Sequence, residues 1–78
     1  MKAKITYYGM IAEQLGRSTE ELTFVDSNPT DLREWFNAKY PKLEKLSYQI
    51  AVDNDLCETL EPHEGEINIA LLPPFSGG

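Results

Sequence analysis

Met1, Ala3, Ile5 and Tyr7 alternate with Lys2, Lys4, Thr6 and Tyr8 at the start of the chain. A period of two places the two sets on opposite faces, so this stretch predicts a strand with one buried face. Gly9 breaks the alternation, and Met10, Ile11 and Leu15 then recur at helical spacing. A short helix is predicted there, with Gly16 at C′, where a left-handed conformation suits glycine. Glu21–Val25, with Leu22 and Phe24 on one side, predicts a second strand returning toward the first. In Asn28-Pro29-Thr30-Asp31, Asn28 can cap a helix, Pro29 suits its first position and Asp31 complements its dipole. Leu32, Trp35 and Phe36 form an apolar stripe at i, i+3, i+4 before Pro41 stops the helix near Tyr40. The principal helix is thus predicted over 29–39, with Trp35 and Phe36 anchoring the core.

Tyr48, Ile50 and Val52 alternate with Gln49 and Ala51, which predicts a third strand. Asp53-Asn54-Asp55 supplies turn chemistry, and a short edge segment is expected at Leu56-Cys57. Glu58–Gly65 is polar and reads as irregular. Ile67, Ile69 and Leu71 alternate again, and Ala70 and Leu72 thicken the run, as expected of a strand covered on both sides. Pro73-Pro74 ends it, since neither proline can donate to a ladder. The order β, short helix, β, helix, β, β, β predicts an α+β sheet with one main helix packed on it. It is compatible with a β-grasp in which the last strand lies beside the first, in the middle of a mixed sheet.

Seventy-eight residues leave room for one domain, 1–78, too small for a deep cleft with a full catalytic constellation. The single cysteine, Cys57, excludes an internal disulfide framework and a four-thiolate zinc site. No apolar run approaches the roughly 20 residues that span a bilayer, and no signal peptide opens the chain, so a cytoplasmic protein with no membrane partner is expected. Seven Lys and Arg against thirteen Asp and Glu give a net charge of −6, which makes nucleic acid a poor partner. Residues 1–45 are balanced; residues 46–78 carry Asp53, Asp55, Glu58, Glu61, Glu64 and Glu66 with no base. That segment reads either as a solubilising face or as charge placed around the tail exit to steer the protein toward a basic partner surface.

The chain closes on Phe75-Ser76-Gly77-Gly78 after the double proline. Residues without side-chain bulk can thread a narrow channel in another protein, and two prolines project such a tail stiffly from the sheet. The octapeptide Leu71-Leu72-Pro73-Pro74-Phe75-Ser76-Gly77-Gly78 resembles the signature of the small, sulfur-carrier subunit of molybdopterin synthase, a ubiquitin-like β-grasp family. Ile5-Thr6-Tyr7-Tyr8-Gly9 is similar to that family's first strand, and Ile11–Gly16 to the short helix that follows. Asn28–Phe36 is similar to its capped main helix, Tyr40-Pro41 to a frequent helix stop, and Ala51–Asn54 to a strand entering an asparagine turn. The chain departs from the family pattern at Gly65-Glu66, where the glycine comes about one residue early before the last strand.

The resemblance implies a carrier that is not itself a catalyst. An ATP-dependent adenylyltransferase would activate the Gly78 carboxylate as an acyl-adenylate, and sulfur transfer would leave a thiocarboxylate there. The flexible tail, residues 73–78, would enter the large synthase subunit and deliver sulfur to a cyclic pterin precursor, forming the molybdopterin dithiolene. Gly77 would give clearance in the tunnel, while Pro73, Pro74, Phe75 and Ser76 thread the tail into the partner. The family implies a heterotetramer with the large subunit, no bound cofactor and no metal. Alternatives are a carrier for thiamine or another sulfur pathway, a ubiquitin-like protein modifier, or a β-grasp interaction module that carries nothing.

Other candidates are weaker. Asp53, Asp55 and Glu64 fall at calcium-loop spacing, but Cys57 and Glu58 occupy positions that such a loop cannot give them. His63 reads as a solvated loop histidine, and Cys57 as a small edge-strand filler. No glycine-rich phosphate loop follows a strand.

Overall fold

The computed structural model describes residues 2–24, 31–59 and 65–74. The opening alternation forms β1, Lys2–Tyr7, with Ala3, Ile5 and Tyr7 buried and Lys2 and Lys4 exposed. Helix α1, Gly9–Leu15, follows and ends where Gly16 adopts φ 73° and ψ 24°. That left-handed turn lets the amides of Gly16 and Arg17 both donate to the Ala12 carbonyl, at 2.9 and 3.3 Å. Ile11 is the buried residue of α1, whereas Met10, expected on its apolar stripe, is 58% exposed. A seven-residue helix lying on a sheet has too narrow a contact to bury both neighbours.

β2 spans Thr19–Thr23 and runs antiparallel to β1, two residues earlier than the pattern predicts. Leu22 and Phe24 do face the same side, but Phe24 lies just past the last paired residue, and Val25 lies outside the described residues. The main helix, α2, is Leu32–Lys39 rather than 29–39. Asp31 is its N-cap, with extended backbone (φ −129°, ψ 100°) and a side chain that accepts from the Glu34 amide at 3.0 Å. Asp31 therefore caps the helix instead of occupying its first turn; Asn28 and Pro29 lie outside the described residues. Pro41 stops α2 at Tyr40 and opens a 3₁₀ turn over Pro41–Lys45, which buries Leu43 completely. β3 is Gln49–Val52 and β4 is Asp55–Leu56. A two-residue turn joins them, with Asp53 and Asn54 both at positive φ (48° and 74°), the backbone a tight hairpin needs. β5 is Glu66–Leu72, and Gly65 at φ 88° turns the chain directly into it despite its early position.

The strands lie in the order β2-β1-β5-β3-β4, with β5 parallel to β1 and antiparallel to β3. The last strand thus lies beside the first at the centre of a mixed sheet, and β4 closes one edge, as the pattern predicts. Both helices and the 3₁₀ turn contribute to a single core, where Ile5, Ile50, Ile67, Ile69 and Leu71 meet Ile11, Leu32, Phe36 and Leu43. Only one face of β5 is buried. Glu66 and Asn68 on its other face are exposed, and Ala70 and Leu72 are half-buried, so the expectation of cover on both sides is corrected. Ala70 and Leu72 are apolar on that face because they lie among Thr6, Gln49 and Ala51 of the neighbouring strands.

Phe36 is fully buried, but its predicted partner in the core, Trp35, is half-buried. Trp35 instead roofs the core from the flank of α2, edge-on to Phe24 at 5.1 Å and to Phe36 at 4.9 Å. Arg33 fastens the start of α2 to the edge of the sheet. Its Nε and Nη2 donate to the two Glu58 carboxylate oxygens (2.8 and 3.0 Å), and Nη2 donates to the Tyr48 carbonyl (2.8 Å). The Leu32 amide donates to the Glu58 carbonyl at 2.8 Å, which satisfies an otherwise orphaned donor of the first turn.

Candidate functional site

The chain's distinctive chemistry begins where β5 ends. Tyr7 pairs with Leu71 on one side and Gln49 with Leu72 on the other, and the Tyr8 amide donates to the Leu71 carbonyl at 3.1 Å. These contacts hold the last strand until Pro73, which has no amide proton to continue a ladder. Pro73 and Pro74 are exposed at the end of the central strand. Together with Met10, Ile11, Leu46 and Ser47 they line an apolar groove of about 220 Å³. Phe75, Ser76, Gly77 and Gly78 lie outside the described residues, so the structure places Pro73 and Pro74 among the predicted site residues. Sequence reasoning did not assign Tyr8, Met10 and Leu46 to this region. Tyr8 and Met10 flank the chain break at Gly9, whereas no local signal marks Leu46; Tyr8 and Met10 are 46% and 58% exposed beside the exit.

The acidic charge does not gather there. Glu66 opens β5, six residues and about 20 Å of strand away from Leu72. Asp53 lies toward the same end, where its carboxylate accepts from the Asn68 amide at 3.0 Å, and Asp55 pairs with Val52, level with Ile69 in the middle of β5. Glu58 is held by Arg33, and its carboxyl is drawn below the usual range, first by that hydrogen bond. Glu61 and Glu64 lie outside the described residues. The expectation of acidic charge around the exit is therefore corrected for Asp53 and Glu66, whereas Glu58 follows Cys57, whose amide donates to Ile50 opposite Leu71; the groove beside the prolines is itself lined by uncharged side chains. Strand direction separates Glu66 from the prolines, because β5 begins at Glu66 and runs to Leu72 before the chain reaches Pro73.

A second cluster stiffens the β1–β2 side. Glu20 accepts hydrogen bonds from the hydroxyls of Tyr7 (2.8 Å) and Tyr40 (2.6 Å), and it pairs with Arg17 at 2.9 Å, with Lys39 at 4.0 Å. Burial opposes its charge, but the Tyr40 and Tyr7 hydrogen bonds and the charges of Lys39 and Arg17 outweigh that and lower its pKa. Burial, followed by the hydrogen bond to Glu20, pushes both tyrosines up. A carboxyl with a depressed folded pKa stabilises the fold above its unfolded pKa, and that contribution is lost as pH falls through the folded value. We expect the stability of the protein to decline below about pH 4.5, the ordinary value for glutamate. Glu20→Gln should flatten that part of the decline, measured as urea midpoint against pH; an unaltered profile would show that Glu20 does not anchor this side.

Among the described residues no group of three or more His, Cys, Asp or Glu side chains is arranged to hold a metal. No described helix is long and apolar enough to cross a membrane. Cys57 follows β4 rather than lying within it; its thiol is half-buried, 3.3 Å from the Thr59 carbonyl. His63 and Glu64 lie outside the described residues.

No family model matches the chain, and no curated protein matches it in sequence. Solved structures do. A putative molybdopterin converting factor subunit 1 from Pyrococcus furiosus superposes with a TM-score of 0.76 at 19% identity, over 96% of this chain and 99% of that one. The small archaeal modifier protein 1 of Haloferax volcanii gives 0.69 at 16% identity, over 95% and 98%. A chain from a complex of subunits 1 and 2 of the molybdopterin-converting factor from Helicobacter pylori gives 0.62 at 23% identity, over 100% of this chain and 100% of that one. Together with the strand order and the helix packed on one face, these decide the architecture. The fold is the ubiquitin-like β-grasp. In this β-grasp the central strand delivers the two prolines to an apolar edge beside α1, away from the remote acidic turn.

Proposed function

We propose that the protein is a sulfur carrier whose working group is the Gly78 carboxylate, serving the assembly of the molybdopterin dithiolene. The observation that carries this reading is the placement of Pro73-Pro74 at the end of the central strand, beside uncharged side chains, with Phe75-Ser76-Gly77-Gly78 following in sequence. The likeness to converting-factor subunits supports it.

The chemistry follows from the weakness of a carboxylate as an electrophile. An adenylyltransferase joins the Gly78 carboxylate to the α-phosphorus of ATP and expels pyrophosphate, which makes AMP the leaving group. A sulfur nucleophile then displaces AMP and leaves a thiocarboxylate. The thiocarboxylate sulfur is nucleophilic without a neighbouring side-chain base, so this chain supplies position while its partners supply catalysis. Gly77 and Gly78 pass a tunnel that side chains would block. Pro73, Pro74, Phe75 and Ser76 carry the tail into the large synthase subunit, with which a heterotetramer forms. The protein binds no cofactor and works in the cytoplasm.

Incubation with a matching activating enzyme, ATP and a sulfur donor should raise the intact mass by the exchange of one oxygen for sulfur at Gly78. No change of mass with an enzyme shown to be active on its own carrier would refute the reading. The likeness to a small archaeal modifier protein favours a second reading, in which a lysine amine of another protein displaces AMP. Conjugates that survive thiol reductants would distinguish it.

A further inference from the structure

Gly9 lies at the junction of β1 and α1 with φ 55°, and a Cβ built on it would come within 3.1 Å of Pro73 Cγ. Gly16 has the same left-handed backbone, φ 73°, at the other end of α1, yet among the described residues nothing lies within 4 Å of its Cβ position. Gly9 therefore satisfies a demand that Gly16 does not: besides the backbone angle, it leaves room for a proline ring. The neighbouring bonds fix both sides of that contact. Tyr8 donates its amide to the Leu71 carbonyl, while its own carbonyl accepts from the Ile11 amide, each at 3.1 Å. Residues 8–11 and 71–73 thus form one unit, in which the start of α1 is tied to the end of β5.

We propose that Gly9 is a positioning residue for the tail: its bare Cα seats the Pro73 ring and so sets the direction in which the chain leaves the central strand. The functional consequence rests on the carrier reading above, whereas the seat itself does not. A methyl group at residue 9 pushes Pro73 outward by a few tenths of an ångström, and Pro74, restricted at its own φ, transmits the change instead of absorbing it. A tail that must enter another protein's cavity is sensitive to such a shift, because small misplacements of a reacting group lower its productive encounters.

The test compares Gly9→Ala, Gly16→Ala, Pro73→Ala and the double variant Gly9→Ala/Pro73→Ala in the full-length protein. Both glycine variants bear the strain of alanine in a left-handed conformation, so Gly16→Ala controls for strain and for general loss of stability. Amide chemical shifts read the tail directly in the free protein. Gly9→Ala should displace those of Leu72, Phe75 and Ser76, and Gly16→Ala should leave them in place. With an activating enzyme, Gly9→Ala should raise the KM for the carrier on the order of tenfold with kcat little changed, while Gly16→Ala should leave KM alone. In the Pro73→Ala background, adding Gly9→Ala should change KM no further, since the ring it strikes is gone. Unmoved tail shifts in folded Gly9→Ala, or equal KM values for the two glycine variants, would overturn the proposal. Should the wild-type protein fail to be activated at all while Gly9→Ala still moves the tail shifts, the carrier reading falls and the seat stands.

Discussion

Phe36→Ala is expected to destabilise the protein by about 3–5 kcal/mol, the usual range for deleting a buried aromatic ring. Phe36 has no solvent exposure and shares the core with strand residues Ile5, Ile50, Ile69 and Leu71. Its ring also supports Trp35 edge-on at 4.9 Å, so its removal undermines the roof over Phe24 as well as opening a cavity. Folded domains hold only about 5–15 kcal/mol in total, so a loss of this order removes a large fraction of the stability. Urea denaturation followed by Trp35 fluorescence measures it. A loss below about 1 kcal/mol would mean that the helix packs through some other face.

Removal of Gly77 and Gly78 is expected to abolish adenylation and sulfur loading while leaving the melting temperature unchanged. The two effects separate because, among the described residues, the buried core residues end at Leu71 and the last ladder pair of β5 involves Leu72. ATP–pyrophosphate exchange with an activating enzyme measures the first, and thermal denaturation measures the second. Exchange at the wild-type rate by the truncated chain would contradict a reaction at the Gly78 carboxylate. A lowered melting temperature would mean that the final glycines contribute to the fold.

Much of the architecture is legible in local pattern. The alternation of Ala3, Ile5 and Tyr7 and of Ile67, Ile69 and Leu71 marks the two central strands, because burial of one strand face imposes a period of two. Gly16 and the Asp53-Asn54 pair mark chain reversals because their backbones need positive φ. The start of α2 is three residues later than local pattern predicts. Asn28, Pro29 and Asp31 are all favourable near a helix start, and side-chain propensity alone does not choose among competing caps. Asp31 prevails where Leu32 can both bury its side chain and donate its amide to Glu58. The 3₁₀ turn at Pro41–Lys45 was missed since five residues are too few to show a period, although Leu43 is as buried as any core residue.

The candidate site divides in the same way. Pro73-Pro74 are readable without coordinates as the end of the last strand, since proline has no amide proton to continue a ladder; Phe75-Ser76-Gly77-Gly78 lie outside the described residues. What surrounds the exit was not readable. Charge counted along the chain put acids near the prolines; the direction of β5 put Glu66 at one end and Pro73 at the other. Gly9 and Pro73 are 64 positions apart in sequence, and only the parallel pairing of β1 with β5 brings them together. Periodicity and backbone chemistry act between near neighbours, so they specify elements and their ends. Which elements share an edge depends on how one small core is closed, and that is settled by contacts between residues distant in sequence.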